Sequence, residues 1–82
     1  MSYNVVILRR AQKDLALLPV NVYESVKIKI YTLSDNPRPI GCTKLKGREA
    51  WRIRMGKYRI IYEIDDERKM VKIFQIHHHR DV

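Results

Sequence analysis

Trp51-Arg52-Ile53-Arg54-Met55-Gly56-Lys57-Tyr58-Arg59-Ile60-Ile61-Tyr62-Glu63-Ile64 is the stretch that decides how this 82-residue sequence folds. Trp51, Ile53 and Met55 alternate with Arg52 and Arg54, the period-two pattern of a half-buried strand. Gly56-Lys57 makes a turn, after which Tyr58, Ile60, Tyr62 and Ile64 alternate with Arg59, Ile61 and Glu63 in a second strand. If the two strands pair, their apolar side chains share one face and Arg52, Arg54 and Arg59 converge on the other. Three like charges close together on a sheet repel, and an anion between them turns that repulsion into binding. Arginine suits phosphate because its planar fork donates two parallel hydrogen bonds. By parity most of the aromatic residues here, Trp51, Tyr58 and Tyr62, face the core and are not read as base-stacking platforms.

Beyond the hairpin, Asp65-Asp66-Glu67-Arg68-Lys69 is a polar loop, and Met70 to His77 reads as a final strand. On the other side, Ser34-Asp35-Asn36-Pro37-Arg38-Pro39 is a loop by composition. Before it, Asn21 offers an N-cap with Glu24 as its capping-box partner, and Val22, Val26, Ile30 and Leu33 would line one helix face. Val26 to Ile30 also alternates as a strand would. The capping box and a run of ~13 residues, longer than most strands, favour the helix. Arg9 to Leu18 is predicted as a shorter helix, with Ala11, Leu15 and Leu18 at helical spacing and Pro19 ending it. Tyr3 to Leu8, rich in β-branched residues, is a first strand. The order β-α-α-β-β-β predicts an α+β fold over a single domain, residues 1–82: an antiparallel sheet carries a two-helix hairpin on one face and leaves the arginines on the other.

The net charge is +8, and its distribution matters more than its size. Eight basic residues, Arg38, Lys44, Lys46, Arg48, Arg52, Arg54, Lys57 and Arg59, face Glu49 alone across the segment from Arg38 to Arg59. A field this lopsided concentrates polyanions, RNA before others, although a basic face kept for solubility is the plainer alternative. A single cysteine, Cys42, excludes an internal disulfide, and no zinc-finger spacing is present. Cys42 reads as a partly buried, inert thiol. No stretch approaches the roughly 20 apolar residues of a membrane span. Met1-Ser2-Tyr3-Asn4 lacks a secretory leader's basic start and apolar run, so a cytoplasmic protein is expected.

The runs Lys44-Leu45-Lys46-Gly47, Trp51 to Met55 and Gly56-Lys57-Tyr58-Arg59-Ile60-Ile61-Tyr62-Glu63, with the ending His78-His79-Arg80-Asp81-Val82, resemble the RelE family of bacterial and archaeal toxins. The resemblance covers essentially the whole chain, and the order of elements matches that family's fold. It implies the toxin of a type II toxin–antitoxin system: a ribosome-dependent mRNA endonuclease that cuts mRNA in the A site by attack of a ribose 2′-hydroxyl on the adjacent phosphate. It also implies a RelB-like antitoxin partner and no cofactor or metal. The related ParE toxins share the fold but poison DNA gyrase, and generally lack this arrangement of basic residues. A degenerate toxin that only binds its antitoxin is a further alternative.

Carried over residue by residue, the family's transition-state arginine falls on Arg59 and its basic pair on Arg52 and Arg54. Neither of that pair is a plausible base, because a guanidinium keeps its proton at neutral pH. They are assigned to phosphate binding and charge stabilisation. His78 takes the family's histidine position and the proton transfer, since an imidazole ordinarily titrates at about 6.5. The register among His77, His78 and His79 stays open, and a His run taken alone reads as a surface cluster or a metal site. Lys44, Lys46, Arg48, Lys57 and Arg80 are expected to anchor RNA. Glu63 suits a salt bridge orienting Arg59 or Arg54. The family signature goes on to a tyrosine one position past Val82, where this sequence stops, and the activity is expected to depend on that group.

Overall fold

The strand pair read from the sequence is the centre of a five-stranded sheet. The computed structural model describes residues 2–78. In chain order the elements are β1 (Asn4–Ile7), α1 (Arg9–Ala16), α2 (Val20–Thr32), β2 (Thr43–Lys44), β3 (Trp51–Met55), β4 (Tyr58–Asp65) and β5 (Met70–His78). The sheet order is β1-β5-β4-β3-β2. Met55 pairs with Tyr58, so Gly56-Lys57 is a two-residue turn. Gly56 has φ +62 there while Lys57 does not enter the left-handed region, the pattern of a II′ hairpin turn. The four residues between Asp65 and Met70 close the next hairpin. Lys69 is left-handed at φ 53, and the Arg68 N–H donates to Asp65 Oδ1 at 3.0 Å.

The α+β architecture with both helices on one face of the sheet is as predicted, but the sheet is mixed rather than antiparallel. β1 runs parallel to β5, from Asn4 opposite Met70 to Ile7 opposite Ile73. A tight hairpin reverses the chain, whereas β1 is left through two helices and a long return, a connection that permits parallel pairing. β1 ends opposite Ile73. Past it β5 has no partner on the β1 side, and Asp14 of α1 accepts the Ile76 N–H at 2.9 Å, pinning that helix to the sheet. β2 is a second departure. Its two exposed polar residues carry no alternation that a sequence reading could catch.

α2 is a helix, as its length implied, but it begins at Val20 with Pro19 as N-cap and no side-chain cap. The Pro19 carbonyl accepts the first helical hydrogen bond, from Tyr23 N–H at 2.8 Å. That leaves Asn21 inside the first turn rather than capping it. α1 stops two residues short of the expected Leu18. Val26, Ile30 and Leu33 are fully buried, and with Ala11 and Leu15 they pack on Ile53, Ile60, Tyr62, Val71, Ile73 and Ile76 of the sheet.

The loop after α2 is tied to the sheet at two points. The buried Tyr62 hydroxyl donates to the Pro37 carbonyl at 2.8 Å. Burial pushes its pKa well above the ordinary tyrosine range, so it remains a donor. Arg38 grips Asp66 through Nη2 to Oδ2 at 2.9 Å and Nη1 to Oδ1 at 3.3 Å, and the Tyr3 hydroxyl donates to Oδ1 at 2.7 Å. These donors, Arg38 first, lower the Asp66 pKa from 3.8 to about 2. A carboxylate whose pKa is lower folded than unfolded stabilises the fold above its unfolded pKa and loses that effect as pH falls through the folded one. The wild type is therefore expected to melt higher than Asp66→Asn at neutral pH, with the gap closing between pH 4 and about 2 in thermal melts across that range.

Candidate nucleic-acid interface

The sheet face away from the helices takes its side chains from the alternate residues of β3, β4 and β5. Arg54 stands opposite Arg59 on β3 and β4, and Arg59 opposite His77 on β5. Arg54, Arg59 and His77 thus form one row across three strands. The next row is Arg52, Ile61 and Gln75. Two arginines directly opposite each other destabilise a sheet. Among the described residues no carboxylate lies within 4.0 Å of Arg52, Arg54 or Arg59 to relieve them. Arg59 is half-buried, and its Nε is fully buried without a hydrogen-bond partner among the described residues. An unsatisfied buried donor of this kind costs about 1–3 kcal/mol or more. Arg54, Gly56, Lys57, Tyr58 and Arg59 line a depression of about 130 Å³ at this end of the hairpin.

The other basic residues differ in setting. Arg38 is held by Asp66 and lies over the Trp51 ring at 5.3 Å. Lys44 makes an ion pair with Glu49 at 3.1 Å. Their charge is partly spent inside the molecule. Lys46 and Arg48 are exposed in the loop between β2 and β3, and Lys57 is exposed at the β3–β4 turn. The expected salt bridge from Glu63 is not made. Glu63 stands opposite Lys72 and lines an acidic cleft with Glu49, Asp65, Asp66 and Glu67 at the far end of the sheet. Among the described residues no cluster of three His, Cys, Asp or Glu side chains could hold a metal. Nor is any helix there long and apolar enough to cross a membrane.

The histidines sort by face. His78 stands opposite Tyr58 and packs edge-on against its ring at 5.2 Å, on the helix side of the sheet. The structure therefore does not bring His78 to the arginine row, whereas it brings His77 there. The reason is a bulge. Ile61 pairs with Gln75 and Tyr62 with Ile73, leaving Phe74 unpaired. Strict alternation from the inward Val71 and Ile73 would turn His78 outward, and one extra residue reverses the parity. Nothing in the sequence marks Phe74 as the inserted residue except that Ile76 needs burial. His79 and Arg80, with Asp81 and Val82 of the C-terminal signature, lie outside the described residues.

Comparison with known proteins gives one family. A family profile described as the ParE toxin of the type II toxin–antitoxin system parDE matches residues 5–82. Toxin RelG of Mycobacterium tuberculosis is 34% identical over 86 residues, spanning 100% of this chain and 97% of that protein. The fold is similar to the toxin–antitoxin complex RelBE2 of Mycobacterium tuberculosis, with TM-score 0.86, 30% identity, and 95% and 99% of the two chains covered. It is also similar to the archaeal RelE–RelB complex of Pyrococcus horikoshii, with TM-score 0.87, 28% identity and both chains covered in full.

This difference in setting is measurable. Each phosphate contact on a single strand contributes about 0.7 to the slope of log K against log salt. Arg54→Ala should reduce that slope by about this amount for a single-stranded RNA, and Arg38→Ala by much less. Fluorescence anisotropy across a salt series reads both.

Proposed function

This chain belongs to the ParE toxin family of type II toxin–antitoxin systems, as a RelE-type member of the RelE/ParE superfamily, and on that footing we propose that it is an endoribonuclease that cleaves mRNA on the ribosome. The observation that carries the reading is the Arg54–Arg59 pair, without a carboxylate among the described residues and with Arg59 Nε buried and lacking an acceptor. Such a pair is complete only when an anion with several acceptor oxygens sits on it, as a phosphodiester does. In the reaction the ribose 2′-oxygen bonds to phosphorus, the bond from phosphorus to the 5′-oxygen breaks, and a cyclic phosphate remains. Negative charge builds on the non-bridging oxygens as this happens. Arg59 and Arg54 answer it with donors fixed in advance, and Arg52 in the next row extends the same surface.

The proton of the 2′-hydroxyl goes to His77. Its Nδ1 lies 3.3 Å from the His78 carbonyl oxygen. Donation to that carbonyl sets the tautomer in which Nε2 carries the lone pair, the atom a general base uses. The 5′-oxygen takes a proton from solvent. The exposed Lys46, Arg48 and Lys57 anchor the surrounding RNA. The protein partner is a RelB-like antitoxin, as in the similar complexes, and the exposed apolar Leu17, Val20 and Ile28 offer it surface. A ribosomal target sets the action in the cytoplasm.

Mapping mRNA 5′ ends in a translating extract tests the reading. Wild-type protein should create new ends within codons held in the A site, and Arg59→Ala should lower their rate about 10²- to 10³-fold without unfolding the protein. Intact mRNA together with trapped gyrase–DNA complexes would instead identify a gyrase poison. The histidine assignment has its own test: His77→Ala should lose about 10²-fold or more of the single-turnover rate, and His78→Ala far less. The opposite ranking would return the role to His78.

A further inference from the structure

Phe74 is the chain's only phenylalanine. It is the unpaired residue of the β5 bulge, and it is absent from the apolar residues packed on the main core. It lies instead on the arginine face, half-exposed, with the Arg48 guanidinium 5.9 Å from its ring centroid. That distance is within the range of a cation–π contact. Arg48 comes from the loop closed by the Leu45 N–H to Ala50 carbonyl hydrogen bond at 2.9 Å, and Gly47 turns that loop at φ +76. The Arg48 side chain is exposed and has no ion-pair partner among the described residues. It can swing outward at little cost. Ile61 of the neighbouring strand is on the same outer face and only 4% exposed. Gln75 stands opposite Ile61 and next in sequence to Phe74.

An aromatic ring left half-bare on a cationic surface, with a guanidinium above it, has the chemistry of a nucleobase site. Bases stack on aromatic rings and on guanidinium planes alike. The ring also sits three residues from His77, about 10 Å by the rise of a strand, within reach of a nucleotide or two from the reacting phosphate. We propose that Phe74 and Arg48 form a stacking platform for one nucleobase of the bound RNA, the ring beneath the base and the guanidinium closing over it, with Gln75 at its edge. This rests on the RNA-cleaving reading above and adds to it a base contact that holds the strand in register.

The test crosses two deletions. Phe74→Leu keeps an apolar side chain but removes the π face, and its fold is verified by thermal melting. Single-stranded RNA oligonucleotides, each with one abasic position, remove the base in turn. Equilibrium binding by anisotropy is read for all combinations, so the outcome does not depend on whether the protein cleaves. Phe74→Leu should weaken binding of intact RNA about 5- to 150-fold, the range of a single base stack. At one abasic position the same substitution should have no further effect. Equal loss on intact RNA and at every abasic position, or no loss at all, overturns the platform. Binding that meets the expectation without any mRNA cleavage would sink the nuclease reading and leave the platform standing.

Discussion

Ile53 and Ile60 stand opposite one another on adjoining strands, both buried, because the two-residue turn at Gly56-Lys57 leaves that pair no other register. A strand slipped by one residue exchanges its faces. Here the slip would drive Arg54 or Arg59 under the helices and push Ile53 or Ile60 into water. Burying an unpaired guanidinium costs far more than any turn could return. The apolar face thus fixes the register, and the register sets two arginines side by side on the other face. The core is the reason that the repulsive pair exists, and its strength is what holds the pair there unrelieved.

Among the described residues the rest of the charge does not quench that pair. β4 runs from Arg59 at the turn to Glu63 and Asp65 at its far end, where an acidic cleft collects Glu49, Asp66 and Glu67 as well. Asp66 holds Arg38 and Glu49 holds Lys44. The ion pairs of Asp65, Asp66 and Glu49 thus lie away from the row of Arg54, Arg59 and His77. One sheet face carries opposite charge at its two ends, which orients an approaching polyanion as well as attracting it.

Much of this was legible in the sequence. The alternation through Trp51 to Ile64 gave the hairpin, its two faces and the convergence of Arg52, Arg54 and Arg59, because strand parity is a local property. The apolar face of α2 was equally plain, although its start was not: Asn21 was the expected N-cap, whereas the helix begins at Val20 with Pro19 as its N-cap. What escaped depends on pairing between distant segments. Parallel addition of β1 to β5, the two-residue β2 and the partnering of Arg38 with Asp66 all join residues that the sequence holds apart. The arginine stretch looked uniformly available, and it is not.

The bulge at Phe74 is the instructive case, since one unpaired residue there alters three side chains at once. It sets Gln75 beside Phe74 on the polar face, returns Ile76 to the core, and turns His77 rather than His78 toward Arg59. A strand kept strictly alternating would satisfy its own pairing better, but it would expose Ile76 and bury His77. The sheet instead accepts a local break beside the row whose central arginine already has an unsatisfied donor. Two departures from ideal sheet structure, an orphaned guanidinium nitrogen and a bulge, thus fall within a few residues of each other on the same face. Folds tolerate such departures where an external group completes them, the part the proposed phosphate and its adjoining base would take.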